Sequence, residues 1–347
     1  MMDVKDQFIR DMEYICQTSF IPWDELKGKT ILITGATGLI GYTLVHALLY
    51  ANRQRHLNMR VLAVVRDLAR AKDRFSTVSG DSALSFVIGN VEHFPEINGP
   101  IDYIVHGASQ TASKAFVDQP VETILTALKG TENLLELARN KAVSGMVYLS
   151  SMEVYGYPAK GHKVTEDEIG SLTPLDVRNS YPISKIQCES LCYAYAKEYG
   201  VPVMSARLTQ TFGPGVNYND GRVFAEFARC VVEKRDIVLK TKGETERCYL
   251  YTADAVTAIL TILLKGEAGQ AYNVANESTY CSIAEMAEEI ARDGDIKVRF
   301  DIQDESKNGY LKTLFMDMDT SLLQRMQWHA GIDSVAMYRS VIQCLGC

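Results

Sequence analysis

Short, continuous apolar runs rich in β-branched residues recur at residues 30–34, 60–65, 85–88, 101–106, 146–149 and 203–208. Without in/out alternation, such runs predict strands buried on both faces, the pattern of a parallel sheet. Between them, residues 39–52, 121–139 and 182–199 place apolar side chains three and four apart, which predicts amphipathic helices. Strand and helix in alternation predict an α/β fold, a Rossmann-type doubly wound parallel sheet, because parallel neighbours need crossover connections. After Gly213 the rhythm loosens: helical stretches at 222–233, 253–264 and 283–292 are separated by loops and short strands. The expected organisation is a helical extension over 1–28, a dinucleotide-binding domain over 29–213, and a smaller C-terminal substrate-binding lobe over 214–347, with returns to the main sheet allowed.

Apolar residues make up 47% of the 347, enough for a large core. The 36 basic and 43 acidic residues leave a net charge of -7, which gives no footprint for nucleic acid or an anionic membrane, so any phosphate must be held locally. The first ten residues are charged and lack an apolar stretch, so no secretion signal and a cytoplasmic location are expected. Residues 30–51 are apolar enough to raise a membrane span, but Thr34, Thr37, His46 and glycines at 35, 38 and 41 break them up, and no span is expected. Eight cysteines follow no framework: Cys188 and Cys192 lie a helical turn apart, and Cys344 and Cys347 form one CxxC with no second pair, so reduced thiols and no metal are expected.

Candidate chemistry begins at Thr34-Gly35-Ala36-Thr37-Gly38-Leu39-Ile40-Gly41, which follows the first strand and opens the first long helix. Glycines spaced GxxGxxG allow a tight turn and a close backbone approach to a diphosphate, while the helix start turns free N–H groups and a positive dipole end toward it. This assigns Gly35, Thr37, Gly38, Leu39, Ile40 and Gly41 to NAD or NADP. The second strand ends in Val65-Arg66-Asp67; Asp67 suits an NAD ribose, whereas Arg66 can pair with the extra phosphate of NADP, which gives a slight lean to NADP. Asn90 and Val91 after the third strand, and Gly107, Ala108 and Ser109 after the fourth, are expected along the rest of the cofactor.

Tyr181 and Lys185 stand four apart on one helical face. A phenol titrates near pH 10, so a neighbouring ammonium is expected to lower it toward use as a base. Ser151, at the carboxyl end of the fifth strand, can meet that tyrosine across the crevice.

With these motifs in order, the chain resembles an extended short-chain dehydrogenase/reductase of the NAD-dependent epimerase/dehydratase group over residues 29–328. The resemblance is carried by GATGLIG, SSMEVYG (150–156), YPISK, RLTQTFGPG (207–215), RCYLYTADAV (247–256) and YNVANE (272–277). It implies a nucleotide-diphosphate sugar substrate and oxidation at C4 of the sugar. Tyr181 would be the acid/base, Lys185 its tuner and ribose holder, and Ser151 a partner of the sugar hydroxyl. Met152-Glu153 follows Ser151, and a carboxylate there can serve as a base at C5 or place a proton after carbon dioxide leaves.

The stretches 219–223 and 246–249 resemble the UDP-glucuronate decarboxylases. By that resemblance Arg247 lies near sugar and diphosphate and Arg222 helps hold the nucleotide; Gln210 stands where an asparagine usually contacts it. Catalytic candidates are therefore Ser151, Glu153, Tyr181 and Lys185; substrate-binding candidates are Ser151, Met152, Glu153, Gln210, Arg222 and Arg247. Departures are Met152 for a serine, YPISK without the usual Asp-Glu-Gly, Gln210, Ala127 for a buried asparagine, and Arg66. Decarboxylation, 4,6-dehydration and 4-epimerisation all stay open, beside an NADPH-consuming reductase and a non-catalytic NADP sensor. The resemblance also implies a homodimer formed through the helices over 121–139 and 182–199.

Overall fold

The computed structural model describes residues 4–111, 113–302 and 312–346. After helix α1 (Val4–Gln17) come β1 (Thr30–Thr34), α2 (Leu39–Arg55), β2 (Arg60–Val65), α3 (Leu68–Arg74), β3 (Leu84–Ile88) and β4 (Tyr103–His106). Then follow α4 (Ser113–Asp118), α5 (Pro120–Lys141), β5 (Gly145–Ser151), β6 (Lys163–Val164), α6 (Ser180–Tyr199), β7 (Val203–Leu208) and β8 (Gln210–Phe212). The last part holds α7 (Val223–Val232), β9 (Ile237–Leu239), β10 (Glu246–Tyr251), α8 (Thr252–Lys265), β11 (Ala271–Val274), β12 (Asn276–Ser282), α9 (Ile283–Gly294), β13 (Val298–Phe300) and β14 (Phe315–Met318).

Seven strands form one parallel sheet in the order β11-β7-β5-β4-β1-β2-β3. Their continuous apolar runs follow from burial on both faces. Ile31 and Ile33 pack on one side with α2 and α8, while Leu32 joins α5 and α6 on the other. Strand order reverses between β1 and β4, so a crevice opens beyond their carboxyl ends, where doubly wound sheets bind ligands. Three strands differ from expectation in their bounds: β3 starts at Leu84, β4 starts at Tyr103, and β5 runs from Gly145 through Ser151. The seventh strand, β11, returns from well past residue 213 to pair with β7 in the register Ala271↔Ser205.

A second sheet, in the order β12-β10-β14-β6 with β8 beside β10, covers the carboxyl-end side of β5 and β7 through a core that includes Met152, Val154, Val164, Cys248, Met316 and Met318. Helix α1 is tied to α8 and to the end of β10: the Tyr14 hydroxyl donates to Asp254 Oδ1 at 2.6 Å, and the Tyr251 hydroxyl donates to Asp11 Oδ2 at 2.9 Å. No helix among the described residues is long and apolar enough to cross a membrane. No metal-ligand cluster occurs among them either; Cys347 of the CxxC lies outside the described residues.

Candidate active site

The glycine loop between β1 and α2 has a separate steric reason for each of its outer glycines. Gly35 has φ +70°, and a Cβ there would lie 2.6 Å from the Gly107 carbonyl carbon, so the turn passes directly against the end of β4. A Cβ on Gly41 would lie 2.3 Å from the Gly35 oxygen, so the first turn of α2 can close on the loop only without a side chain. Gly38 caps α2 in extended backbone with no side-chain acceptor, which leaves the helix's first N–H groups open to an anion. A close-packed, side-chain-free cradle ending in open donors fits the diphosphate of a dinucleotide.

Around the cradle, the Ala108 N–H donates to Thr34 Oγ1 at 3.2 Å, and that hydroxyl meets His106 Nδ1 at 2.7 Å. Burial, with Lys185 adding, pushes His106 down to about 3, so it stays neutral. Ser109 Oγ donates to the Gln110 carbonyl at 3.3 Å, while Thr37, Leu39 and Ile40 are half-buried along the cradle. Val91 is buried under α5, where Gly130 leaves room for it, and Asn90 Oδ1 accepts from the Glu92 N–H at 3.0 Å. Arg66 and Asp67 are exposed at the end of β2; Asp67 caps α3 by accepting from the Arg70 N–H at 3.0 Å.

Lys185 and Tyr181 are both buried, in the first turns of α6. Pro182 is harmless there, because the opening N–H groups of a helix have no internal partner. Lys185 Nζ donates to the Leu149 carbonyl at 2.7 Å and lies 5.5 Å from the centre of the Tyr181 ring. Burial brings Lys185 down to about 8. The Tyr181 phenol is raised above its ordinary value, first by burial and then by the Glu153 charge, while a hydrogen bond with Ser151 and the Arg178 charge pull it down. The expected lowering by Lys185 is thus corrected: desolvation of the phenol outweighs every favourable charge around it.

Ser151, the last residue of β5, caps a 3-10 turn over Met152–Tyr155, its Oγ accepting from the Glu153 N–H at 3.2 Å. This turn directs Glu153 toward Arg178, whose Nη1 donates to Oε2 at 3.0 Å and whose Nη2 donates to Oε1 at 3.4 Å. Arg178 also covers Phe116 (5.0 Å), and Phe116 stacks on Tyr181 with centroids 4.4 Å apart and planes 6° apart. Ser151, Glu153, Arg178 and Tyr181 therefore act on one another as a group. Sequence reasoning missed Arg178; its place three residues before Tyr181, at the entry to α6, was the available signal.

A buried network anchors this group from behind. Ser150 Oγ donates to Glu189 of α6, which pairs with Arg207 of β7 at 2.8 Å; Arg207 Nη1 also donates to the Tyr155 hydroxyl at 2.9 Å. That hydroxyl donates in turn to Asn273 Oδ1 of β11 at 2.6 Å.

The expected substrate residues divide. Arg247 and Gln210 meet, with Nη1 to Oε1 at 3.5 Å, and Arg247 Nε is buried with no partner, so this guanidinium retains a free donor. Arg222 is exposed and grips Asp220 at 2.6 Å, lying over Phe224 rather than joining Arg247. Met152 is buried in the core of the second sheet, where its sulfur accepts from Thr209 Oγ1 at 3.3 Å.

Residues 31–275 match the model of the NAD dependent epimerase/dehydratase family. UDP-glucuronic acid decarboxylase 6 of Arabidopsis thaliana is 30% identical over 274 residues, covering 77% of this chain and 76% of that protein. UDP-glucuronic acid decarboxylase 1 of Xenopus tropicalis is 29% identical over 239 residues; the match covers 69% of this chain and 54%, about half, of that relative. Among solved structures, dTDP-glucose 4,6-dehydratase DesIV of Streptomyces venezuelae aligns with a TM-score of 0.74 at 21% identity, covering 90% of this chain and 96% of that one. UDP-glucuronic acid 4-epimerase of Bacillus cereus aligns with a TM-score of 0.73 at 17% identity, covering 91% and 98%. Cradle, crevice and matching family coincide on the same stretch of sequence: the chain belongs to the NAD dependent epimerase/dehydratase family.

Proposed function

We propose that this chain oxidises a nucleotide-diphosphate sugar at C4 and that its substrate is a UDP-linked uronate, which it decarboxylates. The family is one of nucleotide-sugar-modifying enzymes. The observation that carries the reading is the meeting of Ser151, Glu153, Tyr181 and Lys185 at the end of β5, beside the glycine cradle. The similarity to UDP-glucuronic acid decarboxylases supports the choice of a uronate.

The glycine loop and the Gly107–Ser109 segment would hold NAD or NADP, which would supply reversible hydride acceptance at C4 and, when oxidised, a positive charge. Tyr181 takes the proton of the C4 hydroxyl while Ser151 Oγ holds that hydroxyl in line. Lys185 is an ammonium at neutral pH, and its bond to Leu149 O keeps it beside the phenol ring. Positive charge is what this phenol requires, since burial and Glu153 otherwise keep its proton on. In a uronate, a C4 ketone lies β to the carboxylate, so carbon dioxide departs with the ketone as electron acceptor. Glu153, oriented by the Arg178 fork, then governs delivery of a proton to C5, after which C4 regains its hydride and Tyr181 returns its proton to the oxygen, so no outside oxidant or reductant is consumed. Arg247, on the mainly substrate-binding part over 214–347, and Gln210, just before that part, are assigned to the sugar–diphosphate end. At the adenosine end, Asp67 is spent on its own helix cap while Arg66 is exposed, which favours NADP over NAD.

Mass spectrometry of the products from UDP-, GDP-, CDP- and dTDP-sugars tests the reading. Loss of carbon dioxide from UDP-glucuronate is the expected result. Loss of water from a neutral hexose would replace it with dehydration, and an isobaric product with epimerisation.

A further inference from the structure

Three arginines follow the second strand at intervals of four: Arg66 just before the Asp67 cap, then Arg70 and Arg74 on one face of α3. Like charges at this spacing repel one another unless something negative lies among them. Yet none of the three guanidinium groups makes an ion pair or hydrogen bond among the described residues, whereas Arg207 and Arg229 are satisfied by carboxylates and carbonyls. Arg74 is the telling one. It is half-buried, and its Nε is sealed from solvent with no partner, a condition it shares among arginines of the described residues only with Arg247. A buried donor left unpaired calls for a ligand.

The head of Arg74 sits in a corner beside the glycine cradle. It covers the Tyr42 ring at 4.5 Å, on the first turns of α2. A Cβ built on Gly215 would lie 3.8 Å from Arg74 Nη2 and 3.6 Å from Leu39 Cδ1, the first helical residue after the cradle. No carboxylate is among the groups acting on Arg74: burial lowers it, Tyr42 raises it, and Arg70 lowers it again. His46, nearby in the same aromatic nest, is pushed down to about 4 by burial, with Arg53 and Arg74 adding, so it brings no countercharge.

We propose that Arg74, together with Arg70 and Arg66, forms a seat for a phosphate group of the bound dinucleotide. The proposal rests on the reading of the glycine loop as a dinucleotide cradle. An arginine fork binds phosphate through two parallel N–H donors, and the open N–H groups of α2 supply the rest of the field. The phosphate is either the one on the adenosine ribose of NADP or part of the diphosphate common to both cofactors.

Calorimetric titration with NADP and with NAD tests this on the wild type, Arg74→Met, Arg74→Lys and Arg70→Gln. Methionine keeps the aliphatic packing over Tyr42, and thermal melting of each variant alone checks its folding. Arg74→Met is expected to weaken binding about tenfold or more, the cost of a charge-assisted bond, with Arg74→Lys between it and wild type and Arg70→Gln smaller. Weakening of NADP alone identifies the ribose phosphate; equal weakening of both identifies the diphosphate. Unchanged affinity for both in a folded Arg74→Met overturns the seat, while a wild type that binds neither dinucleotide overturns the cradle itself.

Discussion

Replacing Lys185 by methionine separates what this residue does for chemistry from what it costs the fold. Its ammonium is fully buried and lowered from 10.5 to about 8, chiefly by desolvation. Below about pH 8 both folded and unfolded chains carry the proton, and the folded one bears the whole penalty of burying it. Between about 8 and 10.5 the unfolded chain binds more protons, so stability rises with pH across that window. The fall in pKa corresponds to roughly 3 kcal/mol. Against this, methionine forfeits the 2.7 Å bond to Leu149 O, worth about 1.5–3 kcal/mol for a charged donor. At neutral pH Lys185→Met is therefore expected to be as stable as wild type or more stable by up to about 2 kcal/mol, although it loses turnover. The sharper readout is the difference between the two proteins as pH rises. Urea unfolding of both without dinucleotide, followed by the buried Trp23 and Trp328, is expected to show wild type gaining roughly 3 kcal/mol on the variant between about pH 7 and 10.5. A difference that stays flat with pH would show that Lys185 is not buried as a destabilised ammonium.

Other consequences follow from the same geometry. Glu153→Ala is expected to spare C4 oxidation and block the step after it, leaving a ketone that borodeuteride trapping and mass spectrometry detect; full product formation would make the carboxylate structural. A double-mutant cycle of Glu153→Gln with Arg178→Leu should show coupling of about 1 kcal/mol in unfolding, as for a partly exposed bidentate pair, and additive losses would mean the two do not hold each other. Gly41→Ala forces a Cβ to within 2.3 Å of the Gly35 oxygen and is expected to weaken dinucleotide binding at least about tenfold by calorimetry. Gly80→Ala, with nothing within 4 Å, is the control; equal affinity in the two variants would contradict the close-packed cradle.

How much of this was legible in the chain depended on whether neighbours in sequence or only neighbours in space carried the signal. β1, β2 and β7 announced themselves because two buried faces demand unbroken apolar runs. β11 did not: Tyr272 and Asn273 interrupt its four residues, and buried Asn273 is tolerated because Tyr155, Val164 and Asp319 satisfy it. The Tyr181–Lys185 spacing was readable because helical geometry alone puts both on one face. The Glu153–Arg178 pair spans 25 residues and depends on a Ser151-capped turn meeting the entry of α6. The Glu189–Arg207 pair likewise joins a helix to the following strand, and nothing local marks either residue for burial. The Tyr181 phenol was misjudged for a related reason, since spacing reveals the nearby cation but not the desolvation that outweighs it.

In the proposed reaction the buried Tyr181 phenol exchanges the C4 proton of a bound nucleotide sugar. Tyr181→Phe removes one oxygen and keeps the stack on Phe116. Turnover of the sugar nucleotide that wild type converts, measured beside the dinucleotide affinity of both proteins, is the direct test. Turnover is expected to be abolished while affinity is unchanged; conversion of the substrate at the wild-type rate would remove Tyr181 from the chemistry.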